Sequence, residues 1–220
     1  PNNAQYGRYL AFGDIFMVFN NQKKGLDTVT DYHRNLDITE ATTTTSYTQD
    51  GTTFKRETFS SYPDDVTVTH LTKKGNKALD FTLWNSLTED LLANGNYSWE
   101  YSNYKNGHVT TDANGILLKG TVKDNGLKFA SYLGIKTDGT VTVQDETLTV
   151  TGASYATLYL SAKTNFAQNP KTNYRKDIDL EKTVKGIVEA AKSKDYETLK
   201  KAHIKDYQSL FNRVKLNLGG

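Results

Sequence analysis

The sequence predicts a mainly β protein: a two-sheet antiparallel β-sandwich followed by a C-terminal α-helical hairpin. Three observations predict it. Short apolar or β-branched runs, separated by turn signals, fill the chain as far as Thr164. Near Asn169-Pro170 the pattern changes to helical periodicity, which lasts to about Phe211. Tyrosine is abundant at 14 residues, threonine is frequent and proline is scarce at 3, which suits half-buried strands. A chain of 220 residues can bury a sizeable core. We divide it into a β-sandwich domain over 1–169 and, over 170–220, a two-helix linker with a terminal strand.

The elements follow in order. Residues 12–19 are a dense apolar run of strand length. Tyr32 to Ile38 is a weaker strand, and Thr39 to Tyr47 is threonine-rich and β-prone. Gln49-Asp50-Gly51-Thr52 is a turn signal before a strand over Thr53 to Ser60, so the two runs read as a hairpin. Tyr62-Pro63-Asp64-Asp65 breaks the chain again. Val66 to Thr72 alternates, with Val66, Val68 and His70 on one face and Thr67, Thr69 and Leu71 on the other. Ala78 to Trp84 is a further strand. Asn85 to Asn114 is polar, aromatic and carries no clear period. Strands follow at Gly115–Val122, Leu127–Lys136, Thr140–Gln144, Glu146–Thr151 and Ala156–Thr164, making about ten in all.

Leu180, Val184, Ile187, Val188 and Ala191 then fall at i, i+4, i+7, i+8 and i+11, one face of a helix. Ser193 to Asp195 supplies helix-start residues, and Glu197 in the next first turn suits the helix dipole. Leu199, His203, Tyr207 and Leu210 line a second helix. The side chains Val184, Ile187, Val188, Leu199, Tyr207 and Leu210 should be buried against the sandwich or each other. Arg213 to Leu218 reads as a strand. A helical connector that ends in a strand has the look of a piece of something larger.

Composition narrows the chemistry. The 27 basic and 25 acidic residues nearly balance, so no nucleic-acid partner or anionic membrane is implied. No apolar run approaches the ~20 residues of a membrane span, and no segment reads as a signal peptide. With no cysteine, disulfides, thiolate zinc sites and cysteine nucleophiles are excluded. His33, His70, His108 and His203 never pair at i, i+4, and we read His203, on an apolar stripe, as a packed, hydrogen-bonded side chain. No phosphate-binding loop, nucleophile elbow or calcium loop occurs, so we expect no cofactor and no metal. Glycoside hydrolysis needs two carboxylates across one sugar. Asp64-Asp65 and Glu89-Asp90 are neighbours whose side chains diverge on a strand, and neither pair is suited to it. Trp84, Tyr97, Trp99, Tyr101 and Tyr104 could stack on sugar rings, or could cover one side of the sandwich or contact another domain. We favour the second reading.

Five segments carry a more specific resemblance. They are Tyr9-Leu10-Ala11-Phe12-Gly13-Asp14-Ile15; Tyr32-His33-Arg34-Asn35-Leu36-Asp37-Ile38; and the run from Thr53 through Arg56-Glu57 and Phe59 to Pro63-Asp64. Gly152-Ala153 through Thr164-Asn165-Phe166 and the run His203 to Val214, with Asp206-Tyr207-Gln208 inside it, complete them. In this order they resemble the N-terminal part of family 95 glycoside hydrolases, the α-L-fucosidase family. The resemblance covers nearly the whole chain.

That resemblance implies a supersandwich-like N-terminal domain and a helical linker, to be followed in the parent by an (α/α)6 barrel and a C-terminal β domain. It implies inverting hydrolysis of terminal α-L-fucose from glycans, with a glutamic acid as general acid and a water activated by an asparagine–aspartate arrangement. Those residues belong to the barrel, so no catalytic residue is expected in this chain, and alone it should be inactive. The partners implied are the barrel of the same polypeptide and, for the parent, a fucosylated glycan. An extracellular or cell-surface parent is favoured. Leu10-Ala11-Phe12 departs from the family's proline-containing turn. The family's opening segment has no counterpart before Pro1, which implies a sandwich lacking its first strands. Two other readings stand beside this one: a carbohydrate-binding or adhesive surface module, and a domain of another glycosidase or phosphorylase of the same architecture.

Overall fold

The computed structural model describes residues 13–20, 28–86, 105–123, 125–216 and 219. These form twelve strands and two α-helices. The strands are β1 (Ile15–Phe19), β2 (Val29–Asp37), β3 (Thr42–Gln49), β4 (Thr52–Ser61), β5 (Val66–Lys74) and β6 (Leu79–Asn85). They continue with β7 (Lys105–Asp112), β8 (Gly115–Val122), β9 (Lys128–Thr137), β10 (Thr140–Gln144), β11 (Thr147–Ala153) and β12 (Tyr155–Thr164). The helices are α1 (Leu180–Lys192) and α2 (Tyr196–Phe211). The expected fold class is the one found, with β7 emerging from the stretch that had no period.

Local chemistry explains most boundaries. The β3–β4 hairpin closes through Asp50 and Gly51 at φ 48° and 72°. Positive φ at both central residues makes the two-residue turn whose twist matches the strands. Asp179 and Asp195 cap the two helices, their carboxylates accepting from the Lys182 and Thr198 amides at 3.0 and 2.8 Å. In β2 the register shifts between Thr30 and His33, where Asp31 has φ 52°: a bulge.

Four strands, in the order β1-β6-β11-β10, form the smaller sheet; eight, in the order β2-β3-β4-β5-β12-β9-β8-β7, form the larger. Every neighbouring pair is antiparallel. The central part of the larger sheet is covered on both faces. Leu71, Phe81, Leu83, Leu118, Leu148 and Val150 belong to the core between the sheets. On the opposite face Phe59, Val68, Ala130, Tyr132 and Tyr159 pack under Val184 and Val188 of α1 and Leu199 of α2. Side-chain alternation along β4 and β5 therefore serves two cores, one on each face of the sheet. Of the helical residues expected to be buried, Val184, Val188 and Leu199 are fully so, while Ile187 and Tyr207 are half-buried. Leu210 departs from the expectation: it is 57% exposed, because α2 runs past the edge of the surface it packs on. Arg213 to Leu216 forms no strand; residues 217 and 218 lie outside the described residues.

Close approach of α1 to β9 depends on Gly134. A Cβ built there would lie 2.4 Å from Cγ1 of Val188. Val188 is β-branched and buried, so it has no free rotamer into which to retreat. Gly134→Ala is expected to cost about 1–3 kcal/mol through overpacking. Combining it with Val188→Ala should recover part of that loss in urea melts, and strict additivity of the two would show that they do not meet.

Candidate functional site

Two places on the larger sheet gather unusual chemistry. The first is the joint between sandwich and helices. Glu57 projects from the middle of β4 toward α2 and is 6% exposed. Its carboxylate accepts a hydrogen bond from the Tyr196 hydroxyl and pairs with the Lys200 and Lys55 ammoniums at 2.8 and 3.2 Å. Burial alone would raise its pKa, but the hydrogen bonds from Lys200, Tyr196 and Lys55 outweigh it and hold the carboxyl down at about 2. Burial and the bond to Glu57 push the Tyr196 phenol well above its ordinary value. Burial opposes the charge on Lys200, yet Glu57 prevails and raises its pKa.

The rest of α2 is stitched to the β2–β3 turn. Nε2 of His203 donates to the Glu40 and Ala41 carbonyls at 2.9 and 3.2 Å, and its ring stacks on Phe59 at 4.9 Å. The Tyr207 hydroxyl donates to the Ile38 carbonyl at 2.7 Å and the Gln208 amide to the Thr39 carbonyl at 3.1 Å. Four successive carbonyls, of Ile38 to Ala41, are thus met by one helix. His203 is a packed, hydrogen-bonded side chain, as its place on the stripe implied. His70 stacks on Tyr196 at 4.1 Å, with Nδ1 2.8 Å from Oγ1 of Thr157, and its burial lowers its pKa.

Of the candidate carboxylates of the sequence, Asp64 and Asp65 are engaged in ion pairs. Asp64 accepts from Ser61 at 2.7 Å and pairs with Lys194 at 2.6 Å, pinning the start of the α1–α2 link to the β4–β5 turn. Asp65 pairs with Lys163 on β12. Glu181 joins Lys119 on β8, and that bond, with one from Lys185, lowers its pKa to about 2. Glu89 and Asp90 lie outside the described residues, as do Tyr97, Trp99, Tyr101 and Tyr104. Trp84, on β6, is half-buried and stacks on Phe16 of β1 at 5.4 Å with 19° between the rings. Among the described residues no three His, Asp or Glu side chains are placed to hold a metal ion. Among the described residues no helix is long and apolar enough to cross a membrane.

The second place is a groove between the sheets, where β2, β3 and β4 extend beyond the wall formed by Ile15 and Met17 of β1. It has a hollow of about 360 Å³ that includes Arg34, Thr45 and Arg56. A second hollow of about 230 Å³ beside it shares Thr45 and Arg56 and includes Tyr32 and Tyr47. No carboxylate among the described residues lines either hollow. Sequence reasoning did not single out this groove, since Arg34 and Arg56 lie 22 positions apart and meet only through the β2–β3–β4 pairing.

Against this geometry the comparisons with known proteins are informative. The sequence model of the family "Glycosyl hydrolase family 65, N-terminal domain" matches residues 1–169. Alpha-L-fucosidase 2 of Arabidopsis thaliana is 26% identical over 236 aligned residues, covering 96% of this chain and 26% of that protein. Probable alpha-fucosidase A of Aspergillus niger is 27% identical over 231, covering 98% and 27%. The chain thus spans about a quarter of the length of these curated relatives. In fold, a human-microbiome chain carrying the name of a kojibiose phosphorylase superposes with a TM-score of 0.61 at 12% identity, over 90% of this chain and 27% of that one. A bacterial glucoamylase complexed with acarbose gives 0.51 at 12% identity, over 90% and 31%. The motif resemblance pointed to α-fucosidases, and the curated relatives bear that name; the matching family model carries the name of family 65, whose N-terminal domain shares the sandwich. By that match over 1–169, this chain belongs to the N-terminal domain family of the glycosyl hydrolases of family 65.

Proposed function

We propose that this chain is the non-catalytic N-terminal domain of an α-L-fucosidase that removes terminal α-L-fucose from glycans with inversion. The observation that carries the reading is coverage: nearly all of this chain aligns with two α-fucosidases, yet it accounts for only about a quarter of each. The placement of the described carboxylates supports it. Glu57, Asp64 and Glu181 are engaged by lysines that hold the helices, and the inter-sheet groove offers no acid pair. The role of the domain is to seat a catalytic domain through α1 and α2, whose rigid attachment to the sandwich fixes the direction in which the chain leaves.

The 220-residue chain should release no fucose from 2′-fucosyllactose, and measurable turnover by it would overturn the non-catalytic assignment. The product of the full reading frame should release fucose, with the inverted β-anomer seen first by NMR. A second reading has its own support in the TM-score of 0.61 to the chain named as a kojibiose phosphorylase. Phosphate-dependent cleavage of an α-glucoside by the full product, with no action on the fucoside, would favour that reading.

A further inference from the structure

We propose that the groove over β2, β3 and β4 binds an acidic oligosaccharide, with Arg34 and Arg56 holding its carboxylate or sulfate and Tyr32 supporting a neighbouring sugar ring. This goes beyond the fucosidase reading and does not depend on it.

Strand register places the groups. Arg34 pairs across to Thr45, and Thr45 to Arg56, so the three stand in one row on adjacent strands. Neighbouring strands lie about 4.8 Å apart, which puts the two arginine Cα atoms roughly 10 Å from one another. Two guanidiniums on such a base can converge on one oxyanion from either side. The next residue along β4, Glu57, points through the sheet to the helices, so it neutralises neither arginine from within the groove. Among the described residues the Arg34 and Arg56 guanidiniums have no hydrogen-bond or ion-pair partner, and the Thr45 hydroxyl between them has none either. Elsewhere on the same sheet face hydroxyls satisfy one another: Thr58 with Thr69 at 3.0 Å, and Ser60 with Thr67 at 2.9 Å.

The chemistry of the row selects the ligand. A guanidinium presents a planar fork that matches carboxylate or sulfate oxygens two at a time. The hollows flank the row, and together their volumes lie in the range of about 300–1,000 Å³ that small-molecule sites occupy. Tyr32 is 58% exposed, lines the second hollow and lies in the bulge between Thr30 and His33, two residues from Arg34. A flat, wettable ring beside paired guanidiniums suits an acidic sugar unit joined to a second ring. It suits an acidic peptide less well, because an extended peptide would ask for backbone pairing that a sheet face cannot give.

The test is calorimetric titration of the chain with cellobiuronic acid, cellobiose 6-sulfate, cellobiose, tetraglutamate and sodium sulfate. Both acidic disaccharides should bind, and cellobiose should bind about tenfold more weakly or worse. Arg34→Ala and Arg56→Ala should each weaken the acidic disaccharides by about tenfold at an unchanged melting temperature, since neither side chain holds the fold. Arg56→Lys should retain part of the affinity, and raised salt should reduce it for the native chain. Chemical shifts of the Arg34 and Arg56 Nε–H groups should move on binding. Equal binding of cellobiose, equal binding of tetraglutamate or sodium sulfate, indifference to both arginine variants, or no binding at millimolar ligand would each overturn the proposal.

Discussion

Replacing Glu57 by alanine is expected to cost about 3–5 kcal/mol of folding stability, the scale of breaking a buried ion pair. The loss goes beyond one contact. With the carboxylate gone, the Tyr196 hydroxyl and the Lys200 ammonium remain under α2 with no acceptor. Glu57→Gln should cost less, because the amide oxygen can still accept from Tyr196. Urea denaturation measures both, and a loss below about 1 kcal/mol for the alanine variant would place Glu57 among ordinary surface pairs. The same group sets a pH dependence. Its folded pKa, about 2, lies below the reference value of 4.5. Its stabilisation is therefore complete above about pH 4.5 and is lost as pH falls toward 2, with a magnitude of about 3 kcal/mol. His70, whose pKa is lowered from 6.5 by burial, acts in the same direction and earlier, since protonating it begins to favour the unfolded chain below about pH 6.5. Both groups touch Tyr196, so acid should loosen α2 before it melts the sandwich.

Leu199→Ala should cost about 2–5 kcal/mol, as expected for a fully buried leucine. Only Leu199 and His203 of α2 are buried, whereas α1 buries Leu180, Val184, Val188 and Ala191. The second helix thus rests on one apolar anchor and a row of polar clamps. Amide exchange in Leu199→Ala should accelerate along α2 while β9 and β12 keep their protection. Leu210→Ala, on the exposed end of the same helix, should stay within about 0.5 kcal/mol of the native value. Because Glu57 and Leu199 fasten the same helix, their double variant should lose less than the sum of the two single losses: a released helix cannot be released twice. Full additivity would mean that α2 does not detach as a unit.

Local rules made most of the fold legible. The turn at Asp50-Gly51, the bounds of β8 and the heptad-like spacing of α1 all follow from neighbours within a few residues. What could not be read is what depends on distance in sequence. Val66, Val68 and His70 were separable from Thr67, Thr69 and Leu71, but nothing local says that a helix more than a hundred residues later covers the first set. Glu57 lies in a motif the sequence offered, yet its partner Tyr196 is 139 residues away, so its role as the fastening of α2 was invisible. Tyr196, Lys200, His203 and Tyr207 do recur at helical spacing. The sequence marked His203 and Tyr207 on a stripe with Leu199 and Leu210, without revealing that a carboxylate and four turn carbonyls would meet the helix.

The double-sided larger sheet has a consequence for synthesis. The surface formed by Phe59, Val68, Ala130, Tyr132 and Tyr159 is complete once β12 has emerged from the ribosome, but the side chains that dry it are translated after it. For that interval the nascent chain carries a wet apolar sheet face, the kind of surface that recruits chaperones or other chains. Closure comes only when Val184, Val188 and Leu199 arrive, so the helix pair is the lid that finishes the sandwich. A catalytic partner attached to such a lid would be oriented at the moment its support becomes stable.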